Sequence, residues 1–256
     1  MKALILSAGR GSRLLPLTEN RPKCLLPLDD SRTLIDWQIA SLARCGVNEI
    51  VVVVGFGAAE VEAVLARWRR PSLAIRTIFN PFYDVADNLG SCWLARHEMD
   101  RDFVILNGDT VFEPEVLRRL LAGPAVPITV AIDRKASYDA DDMKVCLDGS
   151  RLLEIGKTLP LDRVHGESIG MLLFRGIGPR AFAQAVDRAM RLPEGIRWWY
   201  LKVIDTLAAA GSVQACSIEG LEWGEVDYAA DLACARRLAE GWAAAEAGSL
   251  NLRAAP

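Results

Sequence analysis

The six cysteines of this 256-residue chain, Cys24, Cys45, Cys92, Cys146, Cys216 and Cys234, stand singly. With no CxxC and no CxxC…HxxxH spacing, a zinc ribbon or finger is excluded, and free thiols in a reducing cytoplasm are expected. Histidine is scarcer still: His97 and His165 are the only two, far apart, which excludes a histidine-based metal site. There is no basic excess, with 30 Lys and Arg against 33 Asp and Glu. Nucleic acid is therefore not an expected partner, and any phosphate recognition should be local. No run approaches eighteen uncharged apolar residues, and the run 3–6 is too short for a signal-peptide core, so a cytoplasmic protein with no membrane partner is expected. A chain of this length builds a core without disulfide or metal staples.

What is present is a regular alternation. Residues 2–7 (KALILS) form an apolar run that breaks at Ala8 and Gly9, as a buried parallel strand does at its carboxyl end. Residues 33–45 place Leu34, Trp37, Ile39 and Leu42 near helical spacing, with Gly46 to stop the helix, and 49–54 (EIVVVV) is a β-branched buried strand. Helices are expected over 58–69 and 89–99, and strands over 73–78 and 103–106, the last running into Asn107, Gly108 and Asp109. Such strict alternation implies a mostly parallel sheet covered on both faces, with ligands beyond the carboxyl ends of its strands. After Gly123 the chain turns strand-rich over 126–132, 143–147, 151–155 and 168–174, a lid layer inserted in the same sheet. Helices over 179–191 and 198–210, a strand over 213–218 and a helix from 228 to about 245 complete one domain over 1–242. Residues 243–256 are expected to be a frayed tail.

Between the first strand and first helix lies SAGRGSRLLPLTENRPK. Gly9 and Gly11 let the chain turn and let an anion approach backbone N–H groups. This is not a Walker loop, since GxxxxGK[ST] is absent, and the third glycine of the dinucleotide fingerprint is missing. Alone, GxG serves equally as a structural turn. Arg13 and Lys23, separated by Pro16, Thr18 and Pro22, add a planar fork and a point charge on a stiffened loop. That pairing suits a polyphosphate whose charge is redistributed during reaction.

Gly9, Gly11, Arg13, Leu14, Pro16, Leu17, Thr18, Pro22, Lys23 and residues 25–27 together resemble the signature of the nucleotidyltransferase family that includes sugar-1-phosphate nucleotidyltransferases and bacterial CTP:phosphocholine cytidylyltransferases. The resemblance implies an α/β, Rossmann-like three-layer sandwich whose nucleotide-binding half is 1–123 and whose strand-rich acceptor-binding half is 124–242. It also implies a reaction in which an acceptor phosphate attacks the α-phosphate of a nucleoside triphosphate and pyrophosphate leaves. On that match Leu6, Ala8, Gly9 and Gly11 contact the nucleotide, while Arg13 and Lys23 are catalytic. Mg²⁺ is the expected cofactor, since it takes one or two carboxylates plus substrate oxygens. Asp109 and Asp227 match the family's metal aspartates, although either also suits a helix cap or turn. Glu225 is either a helper or a neighbour.

The segment DNLGS departs from the sugar-enzyme pattern and resembles the phosphocholine, phosphonoalkyl and inositol-phosphate cytidylyltransferases. Asn88 and Ser91 are then near the base or the acceptor, or else begin a helix. Lys157, in an IGK segment like that of the inositol-phosphate branch, is expected at the acceptor phosphate, with Lys144 a weaker candidate. Trp198, Trp199 and Tyr200 cannot all be buried on one helical face. In the phosphocholine branch, rings at this part of the chain enclose the trimethylammonium head. Phe82, Tyr83, Trp93 and Trp223 are further candidate walls, and Asp133, Asp139, Asp141 and Asp142 are candidate partners for the cation. The expected activity is transfer of CMP from CTP to phosphocholine or a related phosphorylated alcohol; the alternative is a sugar-1-phosphate nucleotidyltransferase using UTP, dTTP or GTP.

Overall fold

The structure, a computed structural model, describes the backbone of residues 1–253 and the side chains of residues 1–245. Strand β1 (Lys2–Ser7) is buried along its whole length. It is followed by helix α1 (Leu34–Arg44), which opens on a capping box between Thr33 and Asp36. Then come β2 (Glu49–Val54), α2 (Ala58–Ala66), β3 (Ala74–Phe79), α3 (Asn88–Leu94), β4 (Phe103–Asn107), β5 (Thr110–Phe112) and α4 (Pro114–Ala122). The second half carries β6 (Ile128–Asp133), the hairpin β7 (Lys144–Asp148) and β8 (Arg151–Gly156), β9 (Gly166–Phe174), α5 (Gly178–Met190), α6 (Tyr200–Ala209), β10 (Val213–Ser217), β11 (Trp223–Glu225) and α7 (Ala229–Arg253).

Nine strands form one mixed sheet in the order β3-β2-β1-β4-β9-β6-β10-β8-β7. The first four run parallel, β9 is antiparallel to both β4 and β6, and β10 returns parallel to β6. Because side chains alternate along β1, Leu4 and Leu6 join Val51, Val53 and Ile105 on one face, while Ala3 and Ile5 join Val52, Val54 and Val104 on the other. Each fully buried aliphatic side chain contributes roughly 1.5–3 kcal/mol, so this central strand is anchored from both sides. A third cluster packs Leu14, Leu26, Leu28, Trp37 and Trp242, clamping the loop after β1 beneath α7.

Several elements differ from expectation. The expected helix over 198–210 begins at Tyr200, because Trp198 and Trp199 are extended. The strands β5 and β11, absent from the sequence reading, pair antiparallel in a separate two-stranded ribbon. Helix α7 continues to Arg253, so the expected tail from residue 243 is helical that far; residues 254–256 lie outside the described residues. Among the described residues no helix is long and apolar enough to cross a membrane.

Candidate active site

The carboxyl ends of β1 and β4 open onto a cleft of about 280 Å³ lined by Leu6, Ala8, Gly9, Gly11, Asn88, Ser91 and Asp109. A Cβ on Gly9 would meet nothing within 4 Å, so this part of the loop has room for an incoming group. Gly11 has φ +69°, and a Cβ there would lie 3.0 Å from the Lys23 Cβ; glycine lets the loop turn and close on the lysine stem. Thr18 Oγ1 donates to the Gly11 carbonyl at 2.7 Å, and Leu14 is buried, so the loop is tied at both a polar and an apolar point.

Asp109 stands just past β4, on a bend held from behind. Gln38 Nε2 on α1 donates to the carbonyls of Asn107 at 2.9 Å and Thr110 at 2.8 Å, and Trp37 Nε1 donates to that of Phe112. In the β5–β11 ribbon Glu225 pairs with Thr110, and the Val226 N–H donates to the Asp109 carbonyl at 3.1 Å. That register brings Asp227 beside Asp109. Lys23 Nζ bridges them, donating to Asp109 Oδ2 at 2.7 Å and Asp227 Oδ1 at 2.9 Å. Arg13 Nη1 donates to Asp227 Oδ2 at 3.0 Å. Burial alone would lower the Lys23 pKa, but the two carboxylates outweigh it and raise it. Among the described residues the buried Oδ1 of Asp109 has no hydrogen-bond partner.

A second cleft of about 300 Å³ shares Gly11, Lys23, Asn88, Asn107, Asp109 and Trp199 with the first, so the two chambers meet at the Lys23–Asp109 pair. Its further walls include Arg13, Asp141, Lys157, Glu167, Glu225 and Asp227. Burial, followed by the nearby Asp109 and Asp227 charges, pushes the Glu225 carboxyl up to about 8. Burial also pushes Glu167 up to about 7, against the pull of Lys135, whose Nζ is 3.0 Å from Glu167 Oε2. Of the acidic residues in this chamber, Asp109, Asp141, Glu225 and Asp227 were candidates in the sequence, whereas Glu167 was not, because its position on β9 carries no motif.

Residues 3–165 match the MobA-like NTP transferase domain. The chain belongs to that family. It is 31% identical over 239 residues to a CMP-5'-(3-aminopropyl)phosphonate synthase of Streptomyces rubellomurinus, covering 90% of this chain and 37% of that protein. It is 25% identical over 257 residues to a CTP:phosphoglutamine cytidylyltransferase of Campylobacter jejuni, covering 91% of this chain and 98% of that one. The chain spans 37% and 52% of the lengths of the first relatives it matches, the second being a bifunctional IPC transferase and DIPP synthase of Rubrobacter xylanophilus. Among solved structures, a CTP:phosphocholine cytidylyltransferase from Streptococcus pneumoniae superimposes with a TM-score of 0.74 at 21% identity, over 93% of this chain and 98% of that one. That likeness shows a shared Rossmann-like fold.

Within this NTP transferase fold, the remaining expected residues divide. Asn88 lines both clefts, and its Oδ1 accepts from the Tyr200 N–H at 2.8 Å, so it also caps α6. Ser91 accepts from Asn80 Nδ2 at 3.1 Å on the floor of the first cleft. Lys157 lines the second cleft, its Nζ 4.4 Å from the centre of the Trp199 ring. Of the WWY triplet only Trp199 lines these clefts; Trp198 packs against the core and Tyr200 is fully buried within it. Tyr200 is therefore a core residue, oriented by its hydroxyl contact to Asn107 Oδ1 at 3.3 Å. Lys144 is also buried, its ammonium donating to the carbonyls of Asp142 and Lys157, and it belongs to the scaffold. Tyr83 lines the first cleft, whereas Trp93 and Trp223 donate to Asp187 and Asp133 and line neither cleft. Among the described residues no group of three or more His, Cys, Asp and Glu side chains is arranged to hold a metal ion.

Proposed function

We propose that this chain is a Mg²⁺-dependent cytidylyltransferase that transfers CMP from CTP to a small phosphorylated or phosphonylated alcohol bearing a cationic head. The observation that carries this is the meeting of two clefts at one cation–carboxylate junction, Lys23 between Asp109 and Asp227. The glycine-lined cleft takes the nucleotide and the acidic cleft takes the acceptor, so the two phosphates meet at the junction. An acceptor oxygen bonds to the α-phosphorus while the bond to the β-phosphate breaks and pyrophosphate departs. The acceptor is already ionised near neutral pH, so no general base is required. Lys23 and Arg13 hold the negative charge that accumulates on the α-phosphate and the leaving group.

Asp109 and Asp227 fit a divalent cation: they are adjacent oxygen donors, they already attract one cation, and Asp109 presents an unpartnered oxygen. Bound there, Mg²⁺ would offset phosphate charge. For the head group, phosphocholine leads among candidates, with 3-aminopropylphosphonate and phosphoglutamine suggested by the relatives. Trp199 supplies one aromatic face, and a bound cation would favour the ionised forms of Glu167 and Glu225, which burial otherwise holds partly protonated. The test is pyrophosphate release with CTP, UTP, dTTP and GTP, each against phosphocholine, phosphoethanolamine and glucose-1-phosphate. CTP with a cationic acceptor is the expected pair; preference for the sugar phosphate would replace this reading with that of a sugar-1-phosphate nucleotidyltransferase.

A further inference from the structure

The loop 134–143 between β6 and β7 is held at its base by Lys135, whose Nζ lies 2.8 Å from Asp142 Oδ2 and 3.0 Å from Glu167 Oε2. The Asp139 carboxylate accepts from the backbone N–H groups of Asp141 and Asp142 and shapes the tip. Asp141, at that tip, reaches across the second cleft. Its Oδ1 is 3.1 Å from Lys157 Nζ and 3.7 Å from Arg13 Nη2, and its Oδ2 is 3.3 Å from the Tyr228 hydroxyl. Two cations from opposite halves of the molecule thus converge on one carboxylate that is itself about half exposed, at 49%. A carboxylate and a phosphate are both acceptors for such a pair, and the phosphate offers more charge.

Taking Lys157, with Arg13 beside it, as the anchor of the acceptor's phosphate or phosphonate, we propose that Asp141 occupies that anion site until the acceptor displaces it. The inference rests on the reading of the second cleft as the acceptor chamber. It inverts the role expected from the sequence, in which Asp141 offered its charge to a cationic head. Here Asp141 is already spent on two cations and is a competitor of the substrate. The head group keeps its own partners, since Trp199 and Glu225 line the same cleft. The loop does not need Asp141 to hold its shape, because the Lys135 and Asp139 contacts remain when its side chain is removed. Displacement leaves Asp141 free in solvent and lets the tip move off the cleft.

The competition has a measurable sign. Titration of the full chain with inorganic phosphate, without nucleotide, should show Asp141→Ala and Asp141→Asn binding about fivefold more tightly than the unmodified protein, a difference of about 1 kcal/mol, as two exposed ion pairs would contribute. Adding Lys157→Ala to Asp141→Ala should abolish that gain, which ties it to this site rather than to the nucleotide cleft. In turnover, the same Asp141 variants should lower the acceptor KM by a similar factor. Equal or weaker phosphate binding by both Asp141 variants overturns the proposal, and a raised acceptor KM assigns Asp141 to the cationic head instead. If no phosphorylated acceptor is turned over at all, the cytidylyltransferase reading fails, while the phosphate titration still decides the role of Asp141.

Discussion

Replacing Lys23 with methionine removes the ammonium and keeps most of the stem that packs under Gly11. The side chain is 17% exposed and its two partners 23% and 29%, so the pairs are neither buried nor fully solvated. Breaking a buried pair costs about 3–5 kcal/mol and an exposed one under about 1, so roughly 2 kcal/mol of stability should be lost here. For a chain of this size that corresponds to about 4–8 °C in Tm. The two carboxylates left behind repel one another, and a divalent cation is the natural replacement. Mg²⁺ should therefore raise the Tm of Lys23→Met by more than it raises that of the unmodified protein. Turnover should behave oppositely: loss of one charge-stabilising donor at the reacting phosphate lowers kcat by about 10²–10³, whatever the metal concentration. Differential scanning fluorimetry with and without Mg²⁺, beside pyrophosphate release at saturating CTP, measures both. A variant that keeps its rate to within tenfold, or gains no more from Mg²⁺ than its parent, would refute the assignment of Lys23 to this junction.

Three further outcomes are expected. Glu167 is raised to about 7 by burial, against an ordinary value of 4.5, so between those values the native state holds a proton that the unfolded chain has released. Its contribution to stability is complete below about pH 4.5 and is lost as pH rises through about 7; urea unfolding should show this decline, on the order of 1–2 kcal/mol, reduced in Glu167→Gln. Identical pH profiles for the two proteins would contradict it. Gly108→Ala places a methyl against Ser7 Oγ and the Leu6 carbonyl, so it should cost about 1–3 kcal/mol and impair turnover by displacing Asp109; a variant with parental Tm would mean the bend has slack. Trp199→Ala should raise the acceptor KM by roughly fivefold through loss of the ring face beside Lys157, and an unchanged KM would leave the aromatic contact without a role.

The long central elements were legible because their burial is written in local pattern. Residues 2–7 and 49–54 coincide with β1 and β2, since continuous apolar runs flanked by turns have few other destinations. Strands β5 and β11 were not, because three residues carry no periodicity and each forms only against the other. The WWY triplet misled in a similar way: its composition announced an aromatic cluster, but pairing of residues 196–198 with the start of α3 keeps Trp198 and Trp199 extended and sends Tyr200 into the core. Asp109 and Asp227 were each visible by resemblance, yet nothing local shows that they share one lysine.

By itself the sequence determined that a glycine-bearing, proline-stiffened loop with two cations follows a buried strand, and that this loop faces the ligand end of the sheet. Those features are properties of neighbouring residues, so they survive without knowledge of the fold. Only the tertiary structure decided which carboxylates those cations meet, that Trp199 alone of its triplet lines the clefts, and that Asp141 reaches Arg13 in the other half while also meeting Lys157 in its own. Such contacts depend on strand order and on the register of a short ribbon. Their energies arise between residues that are distant along the chain, where no local spacing records them.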